Sequence, residues 1–340
     1  MYEHLHYRDM DWISGAERVH NAVVLVDGCD HYTAAQATTK GWSAAAGAMD
    51  AGRFGGQSIK PTGTYTKALP STYSTLIVGF AIKAPAAGSE FFQLRASTTG
   101  AMRLSLTAGS IIQVLNSGGT VIATGSTALT SGAWYYIEVK AVIAGASGST
   151  EVHLEGVSEI ASTTGNFGST NIDNFRLVAA VDYDDFYAVD TTGGAPWNTF
   201  LGVGRISTVM ANADGAHTDY TPSSGTNHYD RVNETTPDGD TTYVSDATVG
   251  HIDSYAFDDI DGGATVFAVQ TCMYARKDDA GTRQLADLIR RSGTDYVGNT
   301  ATLSSTYTYL TQIHPTDPST SAQWTAAGVN AAEFGVKTIA

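Results

Sequence analysis

The clearest alternation of apolar and polar positions along the chain lies between residues 132 and 161. Tyr135, Ile137, Val139, Ala141 and Ile143 fall on one side of an extended strand, and Trp134, Tyr136, Glu138 and Lys140 on the other, as a two-residue pleat requires. One apolar and one mixed face predict a half-buried strand. Gly145 and Gly148 mark a turn, after which Val152 and Leu154 alternate with Glu151, His153 and Glu155 until Gly156 closes a second strand. The pair is a predicted hairpin.

Short runs rich in aromatic and β-branched residues recur on both sides of this hairpin. Residues 21–32 (NAVVLVDGCDHY) read as a buried strand halted by a turn at Asp27 and Gly28, and strands are expected at 57–60, 75–84, 90–96, 101–107, 111–115, 120–124, 171–180 and 183–189. That spacing of about ten residues is the one a two-sheet sandwich produces. Residues 194–252 are polar and strand-poor, a crossover expected to pass over the first domain, with Tyr243 and Val244 in a short strand. Residues 265–277 then alternate, 278–281 turn, and 283–291 return. Leu285, Leu288 and Ile289 also fit helical spacing, but two turns nine residues apart favour a strand. Further strands are expected at 295–298, 301–303 and 306–313, a short helix at 324–333, and a closing strand at 334–339. The predicted organisation is an arm (1–20), a sandwich domain (21–215) and a C-terminal β-rich domain (216–340), all-β throughout.

Composition narrows the partners. Charged residues make up 16% of the 340 and apolar residues 42%, so the surface is neutral and hydroxyl-rich while a core remains to be buried. A formal charge of −15 without any basic cluster argues against a nucleic-acid partner. The N-terminus lacks the basic start and apolar core of a secretion signal, and no run approaches eighteen apolar residues, so neither export by that route nor membrane insertion is expected. Cys29 and Cys272 sit in apolar or small-residue runs without metal-ligand spacing and read as free buried thiols.

The Trp-led central hairpin resembles the core hairpin of laminin-G-like domains in the concanavalin A-like lectin superfamily, which implies a large jelly-roll sandwich. The order DGCDHY, GRFGGQSIK, GAWYYIEVK, EVHLEG, VDYDDFYAVDTTG across residues 21–193, with FLGVGRISTVMANADG and the C-terminal WTAAGVNAAEFGVKTI, is similar to a family of tailed-bacteriophage virion proteins. That resemblance implies a structural component of the particle (tail, neck or head decoration) assembled in the host cytoplasm, acting through assembly and surface contact. Lectin-like recognition of a host glycan is the alternative, and a glycan depolymerase a more remote one.

No catalytic set accompanies these readings. Glu151, His153 and Glu155 share a strand face, but the two carboxylates lie too far apart for a glycosidase pair, and a solvated face is the simpler reading. No nucleophile elbow or phosphate loop is present, the glycine-rich run 52–56 lacking the Lys and helix of the latter. Asp182 and Asp184, and Asp258 and Asp261, lie in acidic stretches of the kind Ca²⁺ binds, without EF-hand spacing; alternation sends Asp184 and Asp185 to opposite faces. No other cofactor is expected. Trp42, Trp197, Tyr220 and Tyr229 fall in loops and are candidate glycan or subunit contacts. In the arm, His4 and His6 lack a third metal ligand, and Tyr2, Tyr7 and Trp12 are candidate anchors to a neighbouring subunit in a symmetric homo-oligomer, a trimer rather than a dimer.

Overall fold

The structure, a computed structural model, describes residues 22–43 and 47–340. The expected arm, with His4, His6, Tyr2, Tyr7 and Trp12, lies outside the described residues. The chain divides after Ile206 into two units, each with its own core. The boundary expected at 215 falls inside a strand, Ala211–Thr218, whose ladder partner Ile252–Phe257 belongs to the second unit.

Among the described residues, fifteen strands build the first unit: β1 (Val23–Asp27), β2 (Trp42–Ser43), β3 (Gly47–Ala51), β4 (Gln57–Pro61), β5 (Tyr65–Tyr73), β6 (Thr75–Lys83), β7 (Glu90–Ala96), β8 (Thr99–Leu106), β9 (Ile111–Asn116), β10 (Val121–Ala128), β11 (Trp134–Val142), β12 (Gly148–Leu154), β13 (Val157–Gly165), β14 (Ile172–Leu177) and β15 (Tyr183–Val189). One sheet runs β13-β12-β11-β6-β15-β4-β3 with β1 also on β15, and the other β10-β9-β8-β7-β14-β5-β2. Each ladder is antiparallel. The inner faces meet through aromatic rings: Phe80 stacks on Phe92 at 4.5 Å between centroids, Phe186 on Phe175 at 5.9 Å, and Trp42 meets Phe175 edge-on at 5.7 Å. This is an all-β, jelly-roll-type sandwich.

Two local features depart from the alternation. The central strand β11 is buried on both faces, with Tyr136 at 1% and Glu138 at 0% exposure, because residues 200–206 lie over what reads in the sequence as its wet side. Glu155 and Gly156 form a two-residue hairpin turn with φ of 51° and 77°, the left-handed pair that such a tight connection needs, and β13 returns directly from it.

The second unit contains β16 (Ala211–Thr218), β17 (Thr221–Pro222), β18 (Val244–Ser245), β19 (Ile252–Phe257), β20 (Val269–Ala275), β21 (Gln284–Arg291), β22 (Thr294–Thr302), β23 (Thr308–His314), β24 (Thr316–Asp317), β25 (Ala322–Gln323), the helix α1 (Ala326–Asn330) and β26 (Glu333–Thr338). Its main sheet runs β16-β19-β26-β21-β22. The β20–β23 pair covers one face, where Met273, Ala275 and Leu310 pack against Leu285, Val336 and Tyr220. β21 is the strand whose apolar spacing also suited a helix; it is paired on both sides, by β22 and β26. The polar stretch before it contributes β16 as well as the short strand at Val244. No helix among the described residues is long and apolar enough to cross a membrane.

Candidate functional site

A group of buried ionisable side chains sits on the outer face of the eight-stranded sheet. Glu138 on β11 and Tyr187 on β15 both stand opposite Gly79 of β6, so the three form one row across adjacent strands. Gly79 leaves the room between them. A Cβ at Gly79 would collide with the Tyr187 ring and come within 2.8 Å of the Tyr136 hydroxyl. Tyr187 therefore reaches over β6 and donates its hydroxyl to Glu138 Oε1, which also accepts from the Gly202 amide at 2.9 Å. The other oxygen, Glu138 Oε2, is buried without a hydrogen-bond partner among the described residues.

A β-bulge brings the next two acids together. Between the pairs Asp184–Ala81 and Tyr187–Gly79, β15 carries one residue more than β6, and Asp185 takes φ 53°. The alternation resets at that point, so Asp184 and Asp185 both meet Arg53 instead of facing opposite ways. Asp184 accepts from the Arg53 amide (Oδ2, 2.8 Å) and the Asp185 amide (Oδ1, 2.8 Å). Asp185 Oδ1 accepts from the Ile206 amide at 2.7 Å, and its Oδ2 lies 3.8 Å from Arg53 Nη1. The glycine-rich run 52–56 thus presents a backbone amide to a carboxylate, and a Cβ on Gly52 would sit 2.9 Å from Asp184 Oδ2.

Burial dominates the electrostatics of this pair. It pushes Asp184 up to about 8, with the neighbouring Asp185 charge adding to the effect, and Asp185 up to about 6, where the Ile206 amide and Arg53 pull the other way. Burial likewise raises the Tyr136 and Tyr187 phenols well above their ordinary value. The Arg53 guanidinium packs over Tyr136 (5.1 Å) and Phe54 (4.6 Å), approaches Glu155 Oε2 at 3.7 Å and donates to the Gly204 carbonyl at 3.2 Å.

These groups share one object, the main chain of residues 201–206. Leu201 donates its amide to the Tyr187 oxygen at 3.3 Å, Gly202 to Glu138, and Ile206 to Asp185, while Gly204 accepts from Arg53. At the near end, the Phe200 ring stacks on His153 at 3.9 Å between centroids, and His153 Nε2 lies 3.1 Å from Glu151 Oε1. Glu155 Oε1 accepts from the Tyr136 amide at 2.6 Å. The face of Glu151, His153 and Glu155, read in the sequence as solvated, is thus partly enclosed. Chemically the arrangement is a clasp: a carboxylate-rich groove that reads backbone donors and acceptors.

The sequence-predicted residues are distributed differently. Trp42 and Tyr220 are buried, 1% and 3% exposed, so neither offers a ring to a ligand. Trp42 Nε1 donates to Asp27 Oδ2 at 3.1 Å and its ring fills the aromatic core; the Tyr220 hydroxyl bonds Thr338 Oγ1 at 2.6 Å. Trp197 and Tyr229 are half-buried. Asp182 lies 3.4 Å from Lys60, which also holds Asp50 at 2.7 Å, and Asp184 is in the clasp. Asp258 accepts from Asn212 and Asp261 from the Gly263 amide, each at 2.9 Å. Among the described residues no three His, Cys, Asp or Glu gather as metal ligands. Cys29 is buried and Cys272 half-buried, and neither forms a disulfide among the described residues. The sequence reading missed Glu138, Tyr187, Arg53 and Gly79 as a group. Their only local signal was an acid inside an apolar strand, and the partners come from strands remote in sequence.

No protein-family model matches the sequence, and no curated protein is significantly similar to it. Solved structures similar to part of the chain include the carbohydrate binding module CBM66 from Bacillus subtilis, at 13% identity and a TM-score of 0.33 over 44% of this chain and 95% of that one. Domain 4 of AbnA, an extracellular GH43 arabinanase from Geobacillus stearothermophilus, solved with arabinotriose, is 16% identical with a TM-score of 0.32 over 43% and 76%. The SAP-like pentraxin of Limulus polyphemus is 13% identical with a TM-score of 0.27 over 34% and 64%.

Proposed function

We propose that the protein is a structural component of a tailed-bacteriophage particle that acts through assembly and surface contact. The observation that carries this reading is the covered centre of the outer face of the sandwich: the buried carboxylates and the Arg53 guanidinium hold the protein's own backbone at residues 201–206. A neutral, hydroxyl-rich surface with few charges suits packing against other proteins. The motif order along residues 21–193 and the C-terminal run supply the link to virion proteins. Mass spectrometry of purified particles is the test: the chain is expected in fixed, many-copy stoichiometry, and its absence from particles refutes the proposal.

A second reading, binding of a host carbohydrate, is favoured by Phe54. This ring is 53% exposed and flanked by the guanidinium groups of Arg53 and Arg205, the latter 5.3 Å from its centroid. An exposed aromatic face beside hydrogen-bond donors is a common platform for a sugar ring. A glycan array probed with the full chain and with Phe54→Ala tests it; binding that the substitution leaves intact places the contact elsewhere.

A further inference from the structure

A patch of exposed apolar side chains lies beside the clasp. Phe54 in the glycine-rich run is 53% exposed, Val157 just past the β12–β13 turn 70%, and Val203 on the clasped segment 47%. Val203 Cγ2 lies 3.6 Å from where a Cβ of Gly156 would be, and Arg205 holds its guanidinium 5.3 Å from the Phe54 ring centroid. Three stretches remote in sequence thus meet at one place on the first unit. Val121, that unit's other exposed large hydrophobic among the described residues, is on β10 in the opposite sheet. Three side chains suit one or two sugar rings better than the roughly 800 Å² a side that a stable protein interface covers.

Arg205 sets the charge of what the patch accepts. It is exposed, and among the described residues it forms no ion pair and no hydrogen bond, whereas Arg53, Lys60, Arg103, Arg276 and Arg291 each meet a carboxylate. The Phe54 ring fixes where the Arg205 guanidinium sits without consuming an N–H donor. A planar fork with unused donors matches a carboxylate, which it holds through two parallel bonds. The acids close by are engaged elsewhere: Asp185 and Glu155 lie 3.8 and 3.7 Å from Arg53, and burial pushes Asp184 up to about 8. The formal charge of −15 on the whole chain is screened beyond about 8 Å at physiological salt, so the local cation decides the contact. We propose that this patch is a subsite for an acidic sugar, a hexuronate residue of an anionic glycan, whose carboxylate sits on Arg205 and whose apolar ring face packs against Phe54 and Val203. The proposal rests on the carbohydrate reading above and adds to it the charge of the ligand.

Calorimetric titration of the full-length protein with oligogalacturonate, heparosan and hyaluronan oligosaccharides, and with their methyl esters, tests the assignment, because esterification keeps the rings and removes the charge. At least one acid is expected to bind about tenfold tighter than its ester, the worth of one charge-assisted contact. Arg205→Gln should lose that preference while keeping the ester's affinity, and Phe54→Ala should weaken both ligands. Both side chains are exposed, so an unchanged urea midpoint in each variant shows that folding is not the cause. An ester bound as tightly as its acid, or an Arg205→Gln variant with the native preference, overturns the assignment and leaves the carbohydrate reading standing. Failure of all three acids to bind also overturns it; neutral glycans bound on the array then preserve the carbohydrate reading, and an empty array removes that reading as well. Hexaglutamate bound by the native chain as tightly as the acidic sugars, and released by Arg205→Gln, makes the patch a contact for an acidic protein segment and overturns the sugar assignment.

Discussion

Asp184 and Asp185 are consecutive buried acids beside the Arg53 guanidinium, and their titration contributes to the pH response of the first unit. Both pKa values, about 8 and about 6, lie above the ordinary aspartate value near 3.9. Protonation therefore favours the folded state: this contribution is complete below about pH 4 and is lost as the pH rises through about 6 for Asp185 and about 8 for Asp184. For Asp185 the displacement corresponds to about 3 kcal/mol. The urea midpoint of the first unit is expected to fall between pH 5 and pH 9. Asp184→Asn removes the later-ionising charge and should flatten the decline between pH 7 and pH 9, at a cost of about 1 kcal/mol for one imperfect hydrogen bond. A decline of unchanged steepness in that variant refutes the assignment.

Among the elements, β6 is the one whose sequence most constrains the clasp, because Gly79 is the gap through which Tyr187 and Glu138 meet. Gly79→Ala should destabilise the first unit by about 1–3 kcal/mol, as overpacking does, read as a lower urea midpoint at unchanged m-value. Gly156→Ala, at φ 77° in the β12–β13 turn, should cost about 1 kcal/mol. Most strands were legible because period-two alternation and turn glycines are local signals: β11 and β12 follow Trp134 to Leu154, and β21 is marked as a strand by the turns around it despite Leu285, Leu288 and Ile289. What was not legible depends on distant chain. The burial of Glu138 follows from residues 200–206, the common direction of Asp184 and Asp185 from an unpaired residue in β15, and the burial of Trp42 from Phe175 and Phe186. β16 was missed because its residues, Ala-Asn-Ala-Asp-Gly-Ala-His-Thr, alternate weakly and are held by pairing with β19.

At the scale of the whole molecule, two units with separate cores should unfold in two calorimetric transitions, and Asp184→Asn should move one and leave the other in place. A single transition shifted as a whole counts against independent cores. The pairing of β1 with β15 has a mechanical consequence. Val23 stands opposite Val189, so the chain enters and leaves the sheet at the same end of one antiparallel ladder. A pull applied at residues 22 and 207 is transmitted first to the contacts around Leu201 to Ile206. Once those give way, β1 peels from β15 one rung at a time, with no set of bonds sheared in parallel. The sandwich should accordingly yield at low force in single-molecule stretching, whereas tethers moved to Met102 of β8 and Ile112 of β9, at opposite ends of that ladder, would load its bonds in parallel and hold far longer.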